Sequence, residues 1–168
     1  GRVLEQLAKA GYSNAVGTDF SGETLTHCRA KLPQTPIVQN DGRVLPFRDS
    51  CFDAVVLFAV LTCIPGDEDQ VALLGEVRRT LRPGGLLYIS DLLLNSDQRN
   101  IERYTRDGSK FGRYGVFELP EGAILRHHDQ AWIEHLTSAF ARLAFEEFRV
   151  TTMNGNESRA FQYLGRLG

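Results

Sequence analysis

Asp19 closes the short apolar run Ala15-Val16-Gly17-Thr18 and is followed by Phe20-Ser21, a helix start. An acid at the carboxyl tip of such a strand is how open α/β sheets hold the two hydroxyls of a ribose, because a carboxylate can accept two hydrogen bonds at once. Asn40-Asp41-Gly42, Leu45-Pro46-Phe47, Cys51-Phe52-Asp53 and Leu81-Arg82-Pro83-Gly84-Gly85 follow in order. Taken singly they are modest signs: Asp-Gly favours turns unaided, and Pro-Gly-Gly ends many helices. Arg126-His127-His128 adds two imidazoles, either able to take a proton from a hydroxyl or amine near neutral pH. Neighbours in a strand face opposite sides, so at most one of His127 and His128 would point into a site. No third metal ligand stands near them, since His27 and His135 fall on separate helices.

These residues need elements to place them. Val3, Leu4, Leu7 and Ala8 recur at helical spacing up to Gly11. Ala15 to Thr18 reads as a strand, and Ser21 caps a helix that Pro33 and Pro36 end. Ile37-Val38 is a short strand, and Ala54 to Phe58 is an apolar run short enough for a strand buried on both faces. Asp67 is expected as an N-cap with Gln70 completing a capping box, before the helical face Val71, Leu74, Val77 and Leu81. Leu86 to Ser90 is a further buried strand ending at Asp91. Alternating strands and helices argue for a parallel sheet. Residues 92–128 break the pattern and read as an irregular excursion from the sheet. Ala131, Ile133, Leu136, Phe140 and Leu143 then suggest an amphipathic helix. Phe145 to Met153, Asn154-Gly155 and Arg159 to Leu164 predict a closing hairpin.

The 168 residues suffice for one domain with its own core. A formal charge of −2 gives no general pull toward nucleic acid or an anionic membrane. No apolar run is long enough to span a bilayer and no signal peptide opens the sequence, so a soluble, cytoplasmic protein is expected. Cys28, Cys51 and Cys63 show no CxxC spacing, so reduced thiols are expected and no metal site.

In order, Asp41-Gly42, Leu45-Pro46-Phe47, Phe52-Asp53 and Leu81-Arg82-Pro83-Gly84-Gly85 resemble the class I S-adenosylmethionine-dependent methyltransferases, in particular their small-molecule branch. The resemblance covers nearly the whole chain. It implies an α/β fold: a Rossmann-like, mostly parallel sheet with helices on both faces and a C-terminal antiparallel hairpin. It also implies S-adenosylmethionine as cofactor, with S-adenosylhomocysteine as product, and a small-molecule acceptor.

The family's roles carry over residue by residue. Asp19 matches the acid that takes the ribose hydroxyls, and Phe20 would lie against adenine. Asp41 resembles the acceptor for the adenine amine, with the Gly42 backbone against the ring. Phe58 and Ala59 fall where backbone lines the methionine end. Leu61, Thr62 and Cys63 depart from the aromatic or His residues common in relatives there, and Cys63 is expected to be a small, buried, inert thiol. Asp53 and Leu81 to Gly85 read as structural. Gly1 matches the last glycine of a G-x-G-x-G loop. Over 1–168 the resemblance therefore implies a single domain lacking its first strand and most of that loop, both expected upstream of Gly1. An open sheet without its middle strand would leave two neighbours unpaired.

The excursion 92–128 interleaves Tyr104, Phe111, Tyr114 and Phe117 with Arg99, Arg103, Arg106, Lys110 and Arg113, and acids nearly balance that charge. A cover for a small, anionic or aromatic acceptor is favoured over nucleic-acid binding, with His127 or His128 as the candidate base. The transferred methyl is open among O, N, C and S acceptors. Two other readings stay open: a degenerate methyltransferase-like binding or regulatory domain, and a nicotinamide-dependent oxidoreductase.

Overall fold

A computed structural model of the chain describes residues 1–152 and 155–168 as two units, 1–46 and 47–168. In the first unit, α1 (Arg2–Lys9) leads to β1 (Gly17–Asp19), α2 (Gly22–Lys31) and β2 (Ile37–Gln39). The β1 strand starts two residues later than the apolar run suggests and takes in Asp19 itself. Ser21 caps α2 as expected, its Oγ accepting from the Thr24 amide at 3.2 Å. The two strands pair in parallel with Asp19 opposite Gln39, so the residues that follow each strand emerge side by side.

The second unit holds β3 (Phe52–Phe58), a 3-10 turn (Leu61–Cys63), α3 (Asp67–Thr80), β4 (Leu81–Leu92), α4 (Gln98–Phe111), β5 (Val116–Glu118), β6 (Ile124–Arg126), α5 (Gln130–Leu136), β7 (Phe140–Thr151) and β8 (Glu157–Leu167). Its main sheet runs β3-β4-β8-β7, parallel between β3 and β4 and antiparallel at the other two pairings. The sheet is mixed, where a mostly parallel one was expected. Leu57, Leu87, Ile89 and Phe161 of the sheet join Leu73, Leu74 and Val77 of α3 and Ile133 and Leu136 of α5 in one core cluster. Each such side chain contributes about 2 kcal/mol by leaving water.

Several local expectations give way to the structure. The N-cap of α3 is Gly66, because the Asp67 carboxylate is drawn to Arg113 and Arg126 instead. Arg82 to Gly85 lie within the span of β4, yet the register jumps from Phe52–Leu81 to Ala54–Leu86, so these four residues loop out as the expected turn. The β3 strand is not buried on both faces: it is a sheet edge, and only Leu57 is fully buried. The excursion 92–128 is ordered, with α4 and the β5–β6 hairpin. The helix expected to reach Leu143 stops at Leu136, and Phe140 already starts β7. β7 and β8 form the closing antiparallel pair. Met153 and Asn154 of its expected turn lie outside the described residues. Among the described residues no helix is long and apolar enough to cross a membrane.

Candidate functional site

The first unit gathers its candidates at the carboxyl ends of β1 and β2. Asp19 Oδ1 accepts from the Ser21 amide at 2.9 Å, which fixes the side chain at the α2 N-terminus. Its second oxygen makes no hydrogen bond with any described residue. The Asp19 carbonyl accepts from the Asn40 amide at 3.0 Å, tying the two strand tips together. Asn40 Oδ1 then accepts from the Gly42 amide at 2.6 Å, and Gly42 takes φ +85°, a turn conformation that a side chain would strain. The Asp41 carboxylate accepts from the Arg43 amide, Nε and Nη2, and this pairing holds it below the usual carboxylate range. Phe20, beside Asp19, is 71% exposed. Gly1 and Asp19 both line one small cavity of about 60 Å³ together with Leu4 and Thr18.

In the second unit β3 delivers Phe58 and Ala59. Ala59 has φ +51°, in the left-handed region, which costs a residue with a Cβ about 1–2 kcal/mol. Its amide donates to the Ser90 carbonyl at 2.9 Å, and its carbonyl accepts from Cys63 Sγ at 3.5 Å. Cys63 is exposed, not buried as expected, because the 3-10 turn aims Leu61 and Thr62 inward instead. The buried Asp91 carboxylate accepts from the Thr62 and Leu92 amides at 3.2 and 2.8 Å. Burial pushes this carboxyl up to about 7, against the pull of those amides and of Leu61 and Val60. Thr62 Oγ1 donates to the Arg126 carbonyl at 2.7 Å and so joins the turn to β6.

His127 and His128 are both buried. The main chain reaches them by a close approach at Gly115, where φ is +97° and a Cβ would meet the His127 carbonyl at 2.5 Å. Around His128, Gln70 Oε1 accepts from the Trp132 indole at 2.7 Å, which fixes the amide with its nitrogen toward Leu61 O, Ile64 O and His128 Nε2. His128 Nδ1 donates to the Leu92 carbonyl at 3.2 Å, so Nε2 is the accepting nitrogen and shares the two Gln70 amide hydrogens with the two carbonyls. Neither nitrogen is left over. Around His127, the Tyr104 oxygen accepts from the Asn95 amide at 3.3 Å and gives its own proton to Nδ1 at 2.5 Å. That leaves the His127 proton on Nε2. Burial, then Arg103 and His128, pushes His127 down to about 3, and burial with Arg126 does the same to His128. Both rings are neutral near pH 7.

Comparison with known proteins fits this frame. The family described as Methyltransferase domain matches residues 1–89, more than half of the chain. The chain belongs to the class I S-adenosylmethionine-dependent methyltransferases. A Mycolicibacterium smegmatis protein named a probable S-adenosylmethionine-dependent methyltransferase is 35% identical over 97 residues, 52% of this chain and 37% of that protein. A phosphatidylethanolamine N-methyltransferase from Cereibacter sphaeroides is 36% identical over 103 residues, 53% of this chain and 49% of that one. The solved structure of a SAM-dependent methyltransferase from Methanosarcina mazei matches with a TM-score of 0.84 at 23% identity, covering 90% of this chain and 81% of that one. The chain spans between about a third and a half of the length of these curated relatives.

The cofactor of this methyltransferase family is S-adenosylmethionine, and the residues present fit its nucleoside end. Asp19 keeps one oxygen free of protein partners for hydroxyl donors. Asp41 is half exposed, and its Oδ1 accepts from the Arg43 amide while Arg43 Nε and Nη2 take Oδ2, so the carboxylate can still meet an amine. Phe20 offers an open ring face. Sequence reasoning missed Gln70, Asp91, Tyr104 and the half-buried Arg103 as parts of the second unit's polar interior. The spacing of Gln70 from Asp67 mimicked a capping box, and the partners of Asp91 lie on a distant turn. Asp97 and Gly112, which cap α4 at its two ends, were the available sign of that helix.

Proposed function

We propose that this protein transfers the methyl group of S-adenosylmethionine to a small-molecule acceptor. The cofactor supplies an already activated methyl group. What remains for the chain is to bind, align the acceptor and exclude water, which calls for few reactive side chains. In this reading Asp19 holds the ribose hydroxyls, Phe20 and Gly42 flank adenine, and Asp41 accepts from its amine. Gly1, which lines the same cavity as Asp19, lies toward the methionine end. The observation that carries the reading is the Asp19 carboxylate, anchored through one oxygen with the other left for a ligand.

Residues 92–128 cover the acceptor. His127 and His128 act as positioning residues instead of general bases, because in each ring the basic nitrogen already accepts a hydrogen bond from a neighbour. The strained Ala59 backbone is held by Ser90 and by the 3-10 turn, which Asp91 and Gln70 anchor. Such preorganisation keeps that backbone fixed without a cost at the moment of reaction. Calorimetric titration of the whole protein tests the reading. Saturable heats are expected with S-adenosylmethionine and S-adenosylhomocysteine and none with NAD; a heat with NAD alone would favour the oxidoreductase.

A further inference from the structure

The excursion carries six basic side chains. Arg99 pairs with Asp97, Arg106 with Asp107, Lys110 with Glu118, and both Arg113 and Arg126 with Asp67. Arg103 alone has no carboxylate within ion-pair distance among the described residues. It is half-buried, and its Nε is fully buried without a hydrogen-bond partner. Its guanidinium lies 3.6 Å from the centre of the Phe117 ring and 5.7 Å from that of Tyr104. Burial pulls its pKa down, and the Tyr104 oxygen and the more distant Asp97 only partly oppose this. A half-desolvated cation resting on aromatic faces keeps unspent hydrogen-bonding capacity.

His127 stands in the same cluster, its ring 5.0 Å from Phe117 and 5.8 Å from Tyr104. Its Nδ1 is occupied by Tyr104, so Nε2 presents a hydrogen, and no described residue accepts it. A guanidinium without a carboxylate partner and an N–H without an acceptor therefore both pack on the Phe117 and Tyr104 rings, close enough for Arg103 to bear on the charge of His127. Both are donors. A neutral hydroxyl would answer the N–H and leave the cation uncompensated; an oxyanion answers both.

We propose that Arg103 and the Nε2–H of His127 form an oxyanion subsite, and that the methyl acceptor carries a carboxylate or phosphate group. This rests on reading 92–128 as the acceptor's cover. The test is a titration of the whole ¹⁵N-labelled protein with benzoate, inorganic phosphate and, as the neutral control, benzamide. The reporter is the His127 side-chain nitrogen resonances. Benzoate or phosphate should move the Nε2 signal saturably while benzamide leaves it in place, the two anions separating a carboxylate from a phosphate preference. Arg103→Ala should weaken anion affinity at least tenfold and Arg103→Lys less, while Arg149→Ala, on exposed β7, leaves it unchanged. Affinity for S-adenosylmethionine, measured on the same samples, should stay within about twofold in every variant. Loss of that affinity in the unsubstituted protein would sink the methyl-transfer reading and leave the anion titration as a separate readout. An Nε2 signal unmoved by saturating anion, or an Arg103→Ala protein that keeps full anion affinity, would overturn the subsite. If Arg103→Ala fails to fold, the titration of the unsubstituted protein decides alone.

Discussion

Gln70 and His128 fix each other's state. The Trp132 indole holds the Gln70 oxygen, so the Gln70 amide nitrogen faces His128 Nε2 at 2.9 Å and makes it an acceptor. The same nitrogen reaches the carbonyls of Leu61 and Ile64, on either side of the 3-10 turn. One buried amide therefore joins α3, α5, the 3-10 turn and the histidine pair.

Gln70→Ala should consequently cost about 2 kcal/mol or more, since it strands the Trp132 N–H and the Ile64 carbonyl and leaves the Leu61 carbonyl only the Ile64 amide. Urea unfolding followed by Trp132 fluorescence reads this directly. A loss below about 1 kcal/mol would mean that the hub does not exist.

The buried titratable groups set a pH dependence for residues 47–168. His127 and His128 bind protons near 6.5 when unfolded and only near 3 when folded. Their contribution is full above pH 6.5 and is lost as pH falls toward 3. Asp91 acts the other way: the folded state keeps its proton up to about pH 7 and the unfolded chain releases it near 3.8, so its contribution fades as pH rises through that window. Two imidazoles outweigh one carboxyl. Near pH 5 unfolding should take up about one net proton from these groups, so stability rises by about 1.4 kcal/mol per pH unit. Asp91→Asn should steepen the slope toward two protons. Denaturation at pH 5 and 6 measures it, and a flat or falling stability would contradict the buried neutral rings.

Ala59 offers a backbone test. Ala59→Gly should be neutral or stabilising by up to about 1 kcal/mol, because glycine takes a positive φ without penalty. Ala59→Val should destabilise by more than 1 kcal/mol. Thermal unfolding compares the three proteins, and equal loss in both variants would show that φ is not the constraint.

How much was legible in the sequence follows from where each side chain finds its partners. The β1 tip, the Ser21 cap and the β7–β8 pair rest on local spacing, and the sequence reading finds them. α4 escaped it because its buried face is Asn100, Tyr104 and Asp107: helical spacing, but two of the three are polar, so no hydrophobic period appears. α5 was drawn too long because Phe140 and Leu143 continue the helical count by chance, while pairing with β8 takes them into a strand. The histidines were visible as residues, but their tautomers depend on Gln70, Asn95 and Tyr104, which only the fold brings to them.

The central claim is that Asp19 grips the ribose of S-adenosylmethionine. Calorimetric titration of the whole protein with S-adenosylmethionine, beside Asp19→Ala, tests it most directly. Losing a carboxylate that accepts two hydroxyl bonds should weaken binding by about 2 kcal/mol or more, at least thirtyfold. Unchanged affinity in Asp19→Ala would contradict the account.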